Sequence, residues 1–221
     1  MQRSPSRLLE SAEEPPSRAG SLALVGGIAC LNFANTSSGR GTSRHLEHLR
    51  SYDLLLTWTE HAGLLTPAQR QSLSDLAALQ PAAAARVLRQ ALGLREAIYA
   101  TAEALAHRTT PAATELLTLN QLLSRAMSQA TIRPDASGFA WDWSDAEPAL
   151  DRPLWPIARS AAELLTGPAH EHVKQCPGAH CGWVFLDLTK NHRRRWCEME
   201  VCGSRAKVRR YRERRRRADA A

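Results

Sequence analysis

Four of the five cysteines in this 221-residue chain form two pairs of one kind, Cys176-x4-Cys181 and Cys197-x4-Cys202. Two thiolates presented by one short loop make half of a tetrahedral shell, and a second pair completes it. Zn²⁺ takes four sulfurs at about 2.3 Å in structural sites of this kind. A glycine follows each pair, Gly182 and Gly203. Glycine tolerates φ > 0, so the chain can curl round a metal with its N–H groups aimed at the sulfurs. Pro177-Gly178 supplies a turn inside the first pair. Two disulfides are the competing chemistry, but the N-terminal residues lack the apolar core of a secretory signal, and nothing argues for an oxidising compartment. An iron–sulfur cluster fits less well, because a flanking hairpin and helix suit a closed zinc site. Zn²⁺ held by Cys176, Cys181, Cys197 and Cys202 is the expectation. His170, His172 and His180 are near enough to replace a ligand, and four cysteines make that unnecessary.

The elements that must hold these residues are short. Trp183 to Leu186 reads as a strand, and Lys190 to Arg193 as a turn leading back to Trp196-Cys197. Knuckle, hairpin, second knuckle and a helix after Gly203 resemble a treble-clef zinc finger. If Ser204 to about Arg217 is helical, its charges form two stripes at spacings of three and four. Arg205, Arg209, Arg212 and Arg216 make one, and Lys207, Arg210, Arg214 and Arg217 the other. Val208 and Tyr211 lie between them and are expected to pack on the hairpin. From Glu171 onward 14 Lys/Arg face 6 Asp/Glu, a balance of +8 against +7 for the whole chain. The basic character therefore belongs to this module, as a nucleic-acid footprint would.

A helix so charged repels itself in water unless an anion lies alongside, and duplex DNA offers both the charge and a major groove of matching width. The candidate nucleic-acid contacts are the two stripes together with Lys190, Arg193, Arg194 and Arg195. RNA is the alternative partner. The bland alternative is that the arginines neutralise a four-thiolate zinc, which carries about −2.

Upstream, the pattern is mainly helical. Residues 1–20, rich in Ser, Pro, Arg and Glu, read as a disordered leader. Leu22 to Val25 enters Gly26-Gly27 and then Ile28 to Phe33, either a strand and turn before a helix or one buried helix. Asn35 to Thr42 reads as a polar loop, and a helix from about Arg44 to His61 follows, capped by Thr42 or Ser43. Thr66-Pro67-Ala68-Gln69 is a capping box opening a helix to about Leu79. Pro81 to Arg108 predicts a long helix with Leu88, Leu92, Ile98 or Tyr99, Ala102 and Leu105 inward. Thr110 to Gln129 predicts another through Leu116, Leu119, Leu123 and Met127. Phe139, Trp141 and Trp143 alternate as a strand does, with Thr131 to Arg133 as hairpin partner, and a last helix runs from Ile157 to Leu165. No flexible run separates this helix from Cys176, so the finger is expected to dock on the first domain, with Trp155, Trp183 and Trp196 as candidate contacts. The fold class is α+β: a mainly helical domain over 21–170 with a small β element, then a treble-clef-like finger over 171–217.

Cys197-x4-Cys202 with Gly203-Ser204-Arg205-Ala206-Lys207 after it, Cys176-x4-Cys181-Gly182-Trp183-x-Phe185-Leu186-Asp187 before it, and Arg194-Arg195-Trp196 between resemble the CGNR-type zinc finger. Ser204 stands where that family usually has asparagine. Cys30 to Thr36 and Leu94-Arg95-Glu96-Ala97 resemble the ABATE domain that accompanies this finger, with Asn32 where aspartate is common. The resemblance implies a bacterial regulator of stress-induced transcription, with an N-terminal helical domain and a DNA-binding finger.

The function expected is therefore a zinc-dependent DNA-binding transcriptional regulator whose first domain senses a small-molecule effector or forms a homodimer. Asn32, Asn35 and Thr36, beside Gly26-Gly27, are the candidate effector contacts. A redox switch at the four cysteines is another possibility, since oxidation would eject zinc. No phosphate loop, nucleophile elbow or paired metal-ligand helix is present, so no enzyme is expected. His45, His48 and His61 read as solvated surface. No apolar run reaches the roughly 20 residues of a membrane span, and the unpaired Cys30 reads as a small buried hydrophobe. A cytoplasmic, nucleoid-associated protein without membrane contact is the resulting expectation.

Overall fold

The computed structural model describes residues 15–136, 138–143 and 148–219. Most of the expected leader lies outside them. Its last residues are packed: Ala19 is buried in a 3-10 turn, Ala19–Ser21, and the Ser17 hydroxyl donates to the His48 carbonyl at 2.7 Å.

Leu22 to Leu24 is extended, and a turn through Gly26-Gly27 enters helix α1, Ala29–Ala34. Gly26 permits a close approach that no Cβ would allow, since one would meet the Asn32 backbone nitrogen at 2.7 Å; Gly27 has φ +86°. Two short strands follow, β1 (Ser37–Ser38) and β2 (Leu46–Glu47), paired antiparallel. The helix expected from Arg44 starts only at Tyr52: α2 is Tyr52–His61, its N-cap Ser51 accepting from the Leu54 N–H at 3.1 Å. Residues 44–50 are a turn and the short strand β2 instead of a helix because tertiary partners hold them there. Arg95 grips Glu47 bidentately, both N–O distances being 2.6 Å, and the His48 N–H reaches the Thr36 carbonyl.

Helix α3, Pro67–Leu79, opens on the expected capping box. Helix α4, Pro81–Ala106, exists as predicted but is rotated. Val87, Ala91, Leu94, Ile98 and Ala102 face the core, whereas Leu88 and Leu92 are half-buried. Helix α5, Ala113–Met127, buries Leu119 and Ala126 and leaves Leu116 and Met127 exposed, contrary to the expected face. The hairpin of β3 (Ala130–Asp135) and β4 (Gly138–Trp143) forms with Ile132 opposite Trp141. Helix α6, Trp155–Thr166, completes the helical set, and the Ser160 hydroxyl accepts from the Cys30 N–H at the start of α1.

Strands β5 (Val173–Gln175) and β6 (Val184–Leu186) make the third antiparallel pair. The partner of β6 is thus the segment before the first cysteine pair, not the expected return through Trp196. Helix α7, Ser204–Ala218, ends the described chain. One core runs through the whole body: Leu31 and Phe33, Trp58, Leu94 and Ile157 share it with Val173, Val184 and Leu186 of the finger. The finger is therefore docked, as expected. Of the three tryptophans proposed for this contact, Trp183 lies in it and Trp196 packs among the cysteines, but Trp155 packs against Trp143 elsewhere. No helix among the described residues is long and apolar enough to cross a membrane.

Candidate metal centre and basic helix

The first knuckle is made by the β5–β6 turn. The Cys176 N–H donates to the Trp183 carbonyl at 2.8 Å, and Gly182 takes φ +67°, the left-handed turn expected of it. Gly203 serves otherwise. Its backbone is right-handed, but a Cβ would lie 2.4 Å from Met199 Sδ, so glycine is needed there for space. The second pair is positioned by a π-helical turn, Met199–Gly203, in which the Cys202 and Gly203 N–H groups both donate to the Glu198 carbonyl. That turn runs directly into α7. Ser204 does not cap the helix; its hydroxyl donates back to the Met199 carbonyl at 3.4 Å.

These two turns bring the Sγ atoms of Cys176, Cys181, Cys197 and Cys202 within 4.8 Å of one another. Cys181 to Cys197 is 3.5 Å and Cys197 to Cys202 is 3.6 Å. Sulfurs at about 2.3 Å from a common centre in a tetrahedron stand about 3.8 Å apart, whereas a disulfide requires about 2.05 Å. All five cysteines are free, so the disulfide alternative falls. The thiols by themselves support one charge. Cys176 is driven down to about 2 by S–H donation from Cys181 and Cys197, while bonding to the Cys176 thiolate pushes Cys181 up to about 12 and Cys197 upward. Burial raises Cys202. A divalent cation removes that conflict, and the donor set suits one. By contrast, burial pushes the Cys30 thiol up to about 12, as befits a core hydrophobe.

A family model for ABATE, described as "Putative stress-induced transcription regulator", matches residues 27–168, and one for the CGNR zinc finger matches residues 172–215. The chain belongs to the ABATE family. No curated protein matches it. The matched order of an ABATE domain followed by a CGNR zinc finger is the one read from the motifs. Both families point to a zinc-binding regulator rather than an enzyme. The boundary between the two matches falls at a 3-10 turn, Pro168–His172, across which the core is continuous.

In this ABATE protein the basic candidates divide by surroundings. Lys190, Arg193 and Arg195 are exposed on the loop before the second pair. Arg194 is spent on structure. Its guanidinium lies 4.4 Å over the Phe185 ring and donates to the carbonyls of Val25, Trp196 and Cys197. On α7, Arg205, Arg209, Arg212 and Arg216 line one groove, and Lys207, Arg210, Arg214 and Arg217 another. Only Ala206 of this helix is buried. Val208 and Tyr211 are 49% and 55% exposed, so they do not pack on the hairpin as expected. Helix α7 stands out in solvent with its arginines exposed.

The three candidate effector contacts all make hydrogen bonds within the fold. Asn35 Nδ2 donates to the Val184 carbonyl and its Oδ1 accepts the Val184 N–H, both at 2.9 Å. Thr36 donates to the Phe33 carbonyl, and Asn32 Oδ1 accepts from Gly26 N–H at 2.7 Å. The Asn35 amide thus joins the two family regions like a rung of sheet.

The motifs gave no role to Asp187, which organises the finger loop. Burial favours its neutral form, but bonds from Lys174 Nζ at 2.6 Å and the Thr189 hydroxyl at 2.6 Å outweigh that and hold the carboxyl far below its usual range. It also accepts the Arg194 N–H at 2.9 Å. The only clue in sequence was its place at the end of a strand next to polar turn residues. Tyr99 was a second omission: its hydroxyl donates to the Gly182 carbonyl and accepts from Gln175, gripping both flanks of the first pair.

Proposed function

We propose that this chain is a zinc-dependent DNA-binding transcriptional regulator and not an enzyme. The observation that carries it is α7, a helix whose arginines are exposed along both faces and whose base is continuous with the turn bearing Cys197 and Cys202. Cys176, Cys181, Cys197 and Cys202 would hold the zinc, which supplies cross-linking of the two turns and no chemistry beyond it. The residues then do the rest. The π-helical turn aims α7, the arginines meet phosphate and base edges, and Asn35, Tyr99 and Arg194 fix the finger against the first domain.

A helix of 15 residues is about 22 Å long, enough to lie along a major groove. With Asn32, Asn35 and Thr36 committed to the fold, the first domain serves as the body against which the finger is braced, and a homodimer of it remains part of the proposal. Stress response and a nucleoid-associated cytoplasmic location belong to the same reading.

The test is fluorescence anisotropy of zinc-loaded protein on labelled duplex DNA between 50 and 250 mM salt. Steep loss of affinity is expected, with log K falling by about 0.9 per phosphate neutralised for each unit of log salt. Chain shortened after Ala206 should not bind. Equal binding by the shortened chain, or preference for RNA of matched length, would overturn the reading. Sedimentation velocity decides the homodimer.

A further inference from the structure

Among the described residues, α7 lines several concavities, and one differs from the two grooves already described. The two grooves described above each include Glu213, and the first also Glu200. The third, a cleft of about 440 Å³, contains no carboxylate. Its charged lining is Arg205, Arg209 and Arg212 of α7 and Arg44 from the loop between β1 and β2, with His180 of the first knuckle beside them. Arg44 therefore comes from the first domain and faces the recognition helix across the cleft.

The loop that presents Arg44 is held firmly. Gly39 has φ +62°, and a Cβ there would lie 2.5 Å from the Arg44 carbonyl oxygen, so only glycine lets the two ends of the loop approach so closely. The Thr42 N–H and hydroxyl both donate to the Gly39 carbonyl, and the Thr42 hydroxyl accepts the Arg44 N–H at 3.1 Å. His45 bonds to the Ser37 hydroxyl at 2.9 Å. Among the described residues no carboxylate pairs with Arg44, Arg205 or Arg212, and Arg209 has only Glu213 at 3.8 Å. Arg44, Arg205 and Arg212 line this concave surface with no carboxylate partner of their own, and such a surface focuses a positive potential that draws an anion into it.

We infer that this cleft binds a backbone phosphate of the DNA held by α7, so that the first domain contributes Arg44 directly to the nucleic-acid interface. The inference rests on the DNA-binding reading above. Arg44 stands beside the helix rather than on it, so it meets the wall of a groove that α7 enters and not the base edges on its floor. Phosphate contacts of this kind set the register of a protein on the duplex and carry no sequence information.

The competing role for these charges is neutralisation of the cysteine centre, because Cys202 also lines the cleft. The experiment separates the two using the full zinc-loaded chain and its Arg44→Ala and Arg44→Glu variants, with Arg89→Ala on exposed α4 surface as control. Arg44→Ala should weaken duplex binding by up to roughly eightfold at 0.1 M salt and lower the salt slope by about one. The loss should be the same on unrelated duplexes, and Arg44→Glu should lose more. Zinc retention against a chelator should match wild type in both variants, and Arg89→Ala should leave the slope alone.

An unchanged slope for Arg44→Ala, with wild type still binding, overturns the cleft's assignment alone. Weaker zinc retention in the variant overturns it in favour of neutralisation. Thermal stabilisation by tripolyphosphate that is lost in Arg44→Ala without any change in the DNA slope assigns the cleft to a free anion instead. Failure of wild type to bind any duplex sinks the regulatory reading and the cleft together.

Discussion

The segment from Val173 to Cys197 and the helix that follows it are neighbours in sequence, yet they are bound to the molecule in opposite ways. In the first, Val184, Phe185, Leu186 and Asp187 are fully or almost fully buried, and Asn35, Tyr99 and Arg194 bridge it to the first domain. In α7 a single alanine is buried, and no residue beyond Gly203 is needed by the core. The finger is thus two things joined at Cys202: a plug completing the helical domain, and a rod standing clear of it. The difference teaches that the family boundary at residues 168–172 is not the mechanical one. The mechanical boundary falls some thirty residues later, where burial stops.

The largest effect expected from this contrast follows from metal removal. Structural zinc sites hold roughly 10–16 kcal/mol of apparent binding free energy in small fingers. Chelation, or Cys197→Ser, should therefore lower the melting temperature on the order of 10 °C or more. Because Val173, Val184 and Leu186 belong to the common core, the whole chain should melt earlier in one transition. Differential scanning calorimetry checks this, and an unperturbed helical domain melting separately from a lost finger would break the comparison.

Next comes Asn35→Ala, which leaves a buried N–H and C=O of Val184 without partners. A cost of about 2–4 kcal/mol is expected in urea unfolding, with faster hydrogen exchange at the Val184 amide. A loss below about 0.5 kcal/mol would mean that the finger is not braced here.

A comparable but pH-dependent effect belongs to His48, a buried residue of the segment that was expected to be helical. Its Nδ1 accepts the Arg18 N–H at 3.2 Å, so the neutral ring carries its proton on Nε2 and donates to the Ser38 hydroxyl. Burial, aided by the Arg18 charge, lowers its pKa from 6.5 to about 4. The unfolded chain therefore takes up the proton first as pH falls. Stability is unaffected above pH 6.5, declines between 6.5 and 4, and has lost its full increment below that. The increment is about 3 kcal/mol at the 1.36 kcal/mol of each pKa unit. Stability curves of wild type and His48→Gln should converge over that window, and parallel curves would refute the assignment.

The smallest effect is the other half of the contrast. Ending the chain after Ala206 should change stability by less than about 0.5 kcal/mol, because nothing removed is packed. A large loss in the same urea titration would mean that α7 is part of the core after all.

How much was legible in the sequence follows from how local each signal is. The capping box at Thr66, the alternation of Phe139, Trp141 and Trp143, and the two cysteine pairs involve partners a few residues apart, and all three stand in the structure. The length of α4 was legible but its rotation was not. Alanines leave little periodic contrast, and the burial of Arg95 on its inner side depends on Glu47, 48 residues away. The segment 44–50 had helical spacing, but Glu47 and His48 have partners that hold it out of a helix. Asn35 was read as a polar group near a pocket because its partner in the fold, Val184, lies far along the chain.

By itself the sequence determined which atoms could bind metal, where charge accumulates, and where most helices begin or end, since these are set by residue type and neighbours within a turn or two. Tertiary structure alone decided that the four sulfurs converge, that the first knuckle seals the helical core, that Arg194 is consumed while the arginines of α7 stay exposed, and that Arg44 faces them. The reason is that each of these depends on groups tens of residues apart being brought within a few ångströms, and a buried polar group then takes whichever partner the packing offers.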